Sequence, residues 1–170
     1  EYDLDPVAGR LLARQCGWLM ASELRAVGID MSFAPCVDLD YGVSSVIGDR
    51  AFHRDPQVVA ELAIAFTGGM REAGMAACAK HFPGHGFVAP DSHVAMPVDR
   101  RPLADMDEDV APYRRLIDNG FASIMAAHVV FSEPDGRPAG FSRYWMNDEL
   151  RGRLGFSGAI FTDDLSMAGA

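Results

Sequence analysis

The run Met75-Ala76-Ala77-Cys78-Ala79 passes without a break into Lys80-His81-Phe82-Pro83-Gly84-His85-Gly86, and Asp91-Ser92-His93 follows close behind. A short apolar run that ends in a polar loop rich in glycine is how parallel α/β enzymes present chemistry at the carboxyl ends of their strands. Three of the five histidines and the only lysine fall between residues 80 and 93, and every other basic residue is an arginine.

The same layout repeats outward in both directions. Leu11, Leu12, Cys16, Leu19, Met20 and Leu24 recur at helical spacing between Asp5 and Val27, and Gly28 stops them. Ile29 to Val37 reads as a buried strand that ends at Asp38. Residues Val43 to Arg54 form a polar loop. A second helix runs from the cap Asp55 and the first-turn Pro56 to Ala73, with Gly74 as its stop. Met75 to Lys80 is the next strand. Helix, strand, helix and strand then follow over Asp107–Asn119, Ala122–Ala127, Arg143–Arg153 and Gly158–Thr162. Each strand is nearly all apolar, as parallel strands buried on both faces are. Each ends at a polar group: Asp38, Lys80-His81, His128 and Asp163.

This pattern predicts a (β/α)8 TIM-type barrel. A complete barrel needs about 250 residues, so four helix-strand units cover roughly half of one. Residues 1–170 are therefore read as part of a single barrel domain within a longer protein. A doubly wound open sheet is the alternative, but no dinucleotide-binding glycine fingerprint follows any strand.

Composition narrows the partners. The chain has 170 residues, 49% of them hydrophobic, and a net charge of −9. Its arginines are scattered, which argues against nucleic acid and against an anionic membrane surface. No apolar run is long enough to span a bilayer, and no signal peptide is read. Cys16, Cys36 and Cys78 are odd in number and sit in apolar contexts, so they read as reduced core thiols.

Several residue types here carry chemistry. Asp91 and His93, two apart in an extended loop, would point the same way, and a carboxylate beside an imidazole fixes its tautomer and makes it a better base. A turn-forming aspartate beside a solvent histidine is the plainer alternative. Asp163 at the end of a buried strand is costly unless paired or functional, and its neighbour Asp164 points to the other face. Helix capping is the competing explanation. Lys80 offers three donors to hydroxyls or phosphate, or else a salt bridge across the barrel mouth. Arg50 offers a five-donor fork, or an ion pair with Asp49 or Asp55. His128 is either a hydrogen bonder at the mouth or a packed core residue. Spacing assigns nothing to His53 or His85. His81, His85, Asp91 and His93 are all of metal-ligand type, but no pair has the H-E-x-x-H spacing, so metal is weighted low.

Three motifs occur together and in order: Val46-Ile47-Gly48-Asp49-Arg50-Ala51-Phe52, the Lys80–Gly86 segment with Asp91-Ser92-His93, and Ile160-Phe161-Thr162-Asp163-Asp164-Leu165-Ser166-Met167. They closely resemble the bacterial β-N-acetylglucosaminidases of glycoside hydrolase family 3, of the NagZ type, from about residue 10 to the end. The resemblance implies a (β/α)8 barrel with Asp163 as nucleophile. It implies a histidine acid/base on a mobile loop, His93, paired with Asp91. Arg50, Lys80 and His81 would contact substrate, and two further contacts, an Asp and an Arg, are expected upstream of Glu1. The implied reaction releases terminal non-reducing N-acetylglucosamine with retention, from N-acetylglucosaminyl-1,6-anhydro-N-acetylmuramic acid with or without peptide. That is peptidoglycan recycling by a cytoplasmic monomer that needs no metal or organic cofactor and has no nucleic-acid or membrane partner. Two other readings stay open: a metal-dependent hydrolase on a barrel, and a non-catalytic sugar-binding barrel.

Overall fold

Asp5 accepts the Val7 and Ala8 amides, Pro6 occupies the first helical position, and helix α1 runs Pro6–Ala26. Gly28, at φ +86°, turns the chain out of it. A computed structural model describes residues 1–89, 91–93 and 95–170. Pro90 and Val94, both in the stretch read as loop, lie outside the described residues. After α1 come strand β1 (Met31–Ser32), helix α2 (Pro56–Glu72), and strands β2 (Ala76–Ala77), β3 (Ala79–Phe82) and β4 (Val98–Asp99). Helix α3 (Asp107–Asp118), strands β5 (Ser123–Ala126) and β6 (Val130–Phe131), a helix of π-type turns over Tyr144–Arg153, and strand β7 (Ala159–Thr162) complete the order.

Every pairing between these strands is parallel. β1 pairs with β2, β3 with β5, and β5 with β7, while Cys36 bridges to Lys80. Four strand segments therefore lie side by side in chain order with their carboxyl ends on one side. The first two are interrupted where one unbroken strand each was expected over Ile29–Val37 and Met75–Lys80. The regular ladder of the first strand ends at Ser32, and Pro35, which has no amide hydrogen, cannot donate to the stretch beyond it. The pairing resumes when the Cys78 amide reaches Ala34 O at 2.8 Å and the Val37 amide reaches Lys80 O at 2.8 Å. The core sits between the strands and helices α2 and α3. There Phe82 meets Tyr113 edge-on at 5.1 Å, with Trp145 beyond it.

The packing of α1 departs from its apolar periodicity. Its buried residues are Gly9, Ala13, Gly17 and Ala21, one every fourth position. Leu11, Leu12, Trp18 and Leu19 are about half exposed, and Cys16, expected in the core, is exposed. The small stripe wins because it lets α1 and α2 approach backbone to backbone: a Cβ on Gly17 would overlap Phe66 O, and one on Gly69 would overlap Arg14 O. Two neighbouring glycines of α2 thus predict opposite outcomes. Gly69→Ala is expected to destabilise the protein by about 1–3 kcal/mol through overpacking. Gly68 faces open space, so Gly68→Ala should gain up to about 1 kcal/mol from helix propensity. Denaturant unfolding of the two full-length variants checks this; equal shifts would refute the close contact.

Two features at the carboxyl ends were not legible in the periodicity. β4 and β6, two residues each, form a separate parallel pair that ties the loop after β3 to the loop after β5. Just past β4, Arg101 bonds Asp99, Asp109 and Tyr41 and lies over the Phe87 ring at 3.9 Å. Gly84 completes this contact, since a Cβ there would stand 2.8 Å from Asp109 Oδ1.

Candidate active site

The carboxyl ends of the strands converge on one buried carboxylate. Asp38 follows the bridge at Cys36 and is 1% exposed. It accepts the His81 amide at 3.2 Å, His81 Nδ1 at 2.7 Å, the His85 amide at 2.7 Å and the Cys36 thiol at 3.1 Å. Burial alone would raise its pKa, but the His81 ring, by charge and hydrogen bond, and then His85 outweigh it and hold Asp38 at about 2. The same burial, with Asp38 next to it, pushes the Cys36 thiol far up.

His81 is buried, and its two nitrogens have different tasks. Nδ1 is committed to Asp38, so Nε2 faces Asp163 Oδ2 at 4.0 Å. Asp163 stands just past β7, with its side chain 20% exposed. Its Oδ1 accepts the Asp164 amide at 2.9 Å, which leaves Oδ2 as the oxygen nearest His81. Asp164 caps the turn that follows by accepting the Ser166 amide at 2.8 Å. Asp163 thus has an oxygen near His81, while Asp164 serves the local turn.

Asp91 and His93 form a pair, by a different route from the extended one expected. Asp91 Oδ1 accepts both the His93 amide at 2.9 Å and His93 Nδ1 at 2.6 Å, so the segment is a tight turn. Those two bonds, the backbone one first, lower the Asp91 pKa. With Nδ1 held, His93 Nε2 has no hydrogen-bond partner among the described residues. The imidazole is exposed and the carboxylate less so.

Lys80 is half-buried in β3, and among the described residues its ammonium makes no salt bridge, so the alternative of a bridge across the mouth is not seen. Arg50 bonds its own loop at Val46 O rather than Asp49 or Asp55. His128 is fully buried, stacks on Phe141 and bonds Asp164 O at 3.1 Å, and so holds the chain after β7. His53 accepts the Asp55 amide at 2.9 Å and contacts Asp3.

The four ligand-type residues weighed for metal are not gathered. Asp91 pairs with His93, and His85 with Ser92. The set that does lie close, within 4.8 Å among the described residues, is Cys36, Asp38 and His81. Its thiol is protonated and donates to Asp38, so a metal there would have to displace that hydrogen bond. Sequence reading left Asp38 and Ser92 without a role. Asp38 had a signal, a carboxylate ending a buried strand, but its partners lie 43 and 47 residues away.

Parallel strands in chain order, with polar side chains gathered at their carboxyl ends, are the layout of about half of a TIM-type (β/α) barrel. Residues 2–170 match the glycosyl hydrolase family 3 N terminal domain. The chain belongs to that family. It is 62% identical over 170 residues to a β-hexosaminidase of Thioalkalivibrio sulfidiphilus, covering 100% of this chain and 49% of that protein. NagZ from Neisseria gonorrhoeae, solved in complex with N-trifluoroacetyl-D-glucosamine, is similar with a TM-score of 0.93 and 48% identity over 97% of this chain and 49% of that one. A family 3 β-N-acetylglucosaminidase from Paenibacillus follows with a TM-score of 0.90 and 39% identity, over 94% and 31% of the two chains. The chain thus spans about half the length of the curated relatives it matches, as the count of four strand units anticipates.

Proposed function

We propose that these residues form part of a single barrel domain that acts as a retaining exo-β-N-acetylglucosaminidase, with Asp163 as nucleophile and the Asp91–His93 pair as acid/base. The observation that carries the reading is the pair of carboxylate–imidazole units at one end of one parallel sheet. His81, held by Asp38, stands beside Asp163, and His93 is held by Asp91 through Nδ1, with no partner on Nε2 among the described residues.

In the first step an Asp163 oxygen bonds to the anomeric carbon as the glycosidic C–O bond breaks. The departing electron pair stays on the leaving oxygen, which takes the proton from His93 Nε2. In the second step neutral His93 removes a proton from water, the water oxygen bonds to the anomeric carbon, and the Asp163 carboxylate leaves. Asp91 fixes the tautomer throughout and stabilises the imidazolium. An imidazole suits this site because a carboxylic acid in its place would need a raised pKa to stay protonated near neutral pH. Lys80, His81 and Arg50 are assigned to the sugar hydroxyls and acetamido group as hydrogen-bond donors.

The proposed substrate is terminal N-acetylglucosamine on a 1,6-anhydro-muramyl unit, with or without peptide, in cytoplasmic peptidoglycan recycling by a monomer. Among the described residues no helix is long and apolar enough to cross a membrane. The test is mass spectrometry of the full-length protein after reaction with a fluorinated N-acetylglucosaminyl trapping reagent. Label is expected on the peptide that contains Asp163. Label on another carboxylate, or full inactivation with no covalent adduct, would overturn the assignment.

A further inference from the structure

His85 belongs to the histidine-rich segment yet has no part in the two-step reaction above. It is 2% exposed, and among the described residues its Nδ1 has no partner. Among the described residues its one side-chain hydrogen bond joins Nε2 and Ser92 Oγ at 3.1 Å. Ser92 lies between Asp91 and His93 and, unlike them, is buried, at 2% exposure. The backbone of the same turn is held from the other side. The Ser92 carbonyl accepts the Gly169 amide at 2.9 Å, and the His93 carbonyl accepts the Ala168 amide at 3.3 Å. His85 itself is fixed by its own amide on Asp38 and by edge contact with the His81 ring at 5.9 Å.

We propose that His85 is a positioning residue that latches the Asp91–His93 turn to the barrel through Ser92 Oγ. The latch joins the two halves of the chemistry through hydrogen-bonded and packed groups. Asp38 orients His81 beside Asp163, and the same carboxylate seats the backbone of His85, whose ring holds the turn that carries His93. Burial pushes the His85 imidazolium down, so near neutral pH the ring is uncharged and can hold a serine hydroxyl without bringing a charge under the site. This inference rests on the acid/base role given to His93.

The test uses full-length enzyme in four forms: wild type, Ser92→Ala, His85→Gln and His93→Ala. Two readouts are taken. One is amide hydrogen exchange in the peptide that contains residues 91–93. The other is kcat/KM on phenyl and on 2,4-dinitrophenyl N-acetyl-β-glucosaminide, which reports glycosylation with a poor and with a good leaving group. Ser92→Ala is expected to speed exchange in that peptide by about 5- to 10-fold, as the loss of one hydrogen bond implies. It should lower kcat/KM on the phenyl substrate by a similar factor while nearly sparing the dinitrophenyl one. His85→Gln places an amide near the Nε2 position and should retain most of both properties, which a general packing defect at a buried histidine would not. Unchanged exchange in Ser92→Ala overturns the latch, whatever His93 does. Faster exchange with equal kinetic losses on both substrates also overturns it, provided His93→Ala discriminates between them. If His93→Ala itself hits both substrates equally, the acid assignment fails, and exchange alone then decides the latch.

Discussion

Asp163→Ala in the full-length enzyme is expected to lower turnover of aryl N-acetyl-β-glucosaminides by on the order of 10⁴-fold or more, with the fold intact. Among the described residues the side chain makes one hydrogen bond, accepting the adjacent Asp164 amide, and its other oxygen lies 4.0 Å from His81. Its removal strands no buried donor, so circular dichroism and the melting transition should stay close to wild type. The vacated space also gives the variant a distinctive chemistry. Azide entering from the side where the carboxylate stood should restore turnover of activated substrates, and the product should be the α-glycosyl azide. Near-normal hydrolysis by the purified variant, or azide rescue that yields the β-azide, would remove Asp163 from the nucleophile's role.

Asp38 should show the opposite balance, with a large stability effect that carries activity along with it. One carboxylate satisfies two buried amides, a ring N–H and a thiol. Truncating it to alanine orphans those donors, at a cost of about 3–5 kcal/mol. Asp38→Asn keeps the shape and is the more readable variant. Half of its amide group is itself a donor and must oppose other donors. Activity is expected to fall by on the order of 10²-fold, as small displacements of an oriented group do, because His81 loses its anchor.

The pH dependence follows from the depressed pKa. In the folded state Asp38 sits at about 2 against an ordinary 3.8, so the contribution is complete above about pH 4 and is lost as pH falls toward 2. It amounts to about 2 kcal/mol. Urea unfolding between pH 6 and 2 should show wild-type stability falling toward that of Asp38→Asn. A gap between the two proteins that stays constant over the whole range would contradict this account.

Some of this was open to sequence reasoning for identifiable reasons. Asp55, Pro56 and Gly74 act within a few residues of where they stand, so the cap, start and stop of α2 were legible. Asp163 at the end of an apolar run was legible for the same reason. The packing of α1 was not. Two stripes compete on that helix, and hydrophobic periodicity weighs side-chain size, whereas the contact with α2 rewards its absence at Gly17 and Gly69. The spacing of Gly9, Ala13, Gly17 and Ala21 was the available signal. The break in the first two strands comes where the register skips between Ser32 and Ala34, next to a Pro35 that cannot donate. The Asp38–His81–His85 cluster depends on strand register, which joins residues more than forty positions apart, and periodicity within a strand carries no information about its neighbour's register. The Asp91–His93 pairing was inferred, but from an extended geometry the chain does not adopt. An aspartate that bonds an amide two residues on is a turn former, and that local preference won.

The short parallel pair β4–β6 makes the excursions after β3 and β5 a single piece of architecture. Anyone grafting the Asp91–His93 turn into another barrel would therefore have to transplant two loops. Arg101 would have to go with them, together with the acceptors at Asp99 and Asp109 that seat it. A graft of the histidine loop alone would carry the reactive groups without the scaffold that aims them. By the same token, changes in the loop after β5, which contains no proposed catalytic group, are a route by which a lineage could retune the proton shuttle without touching it.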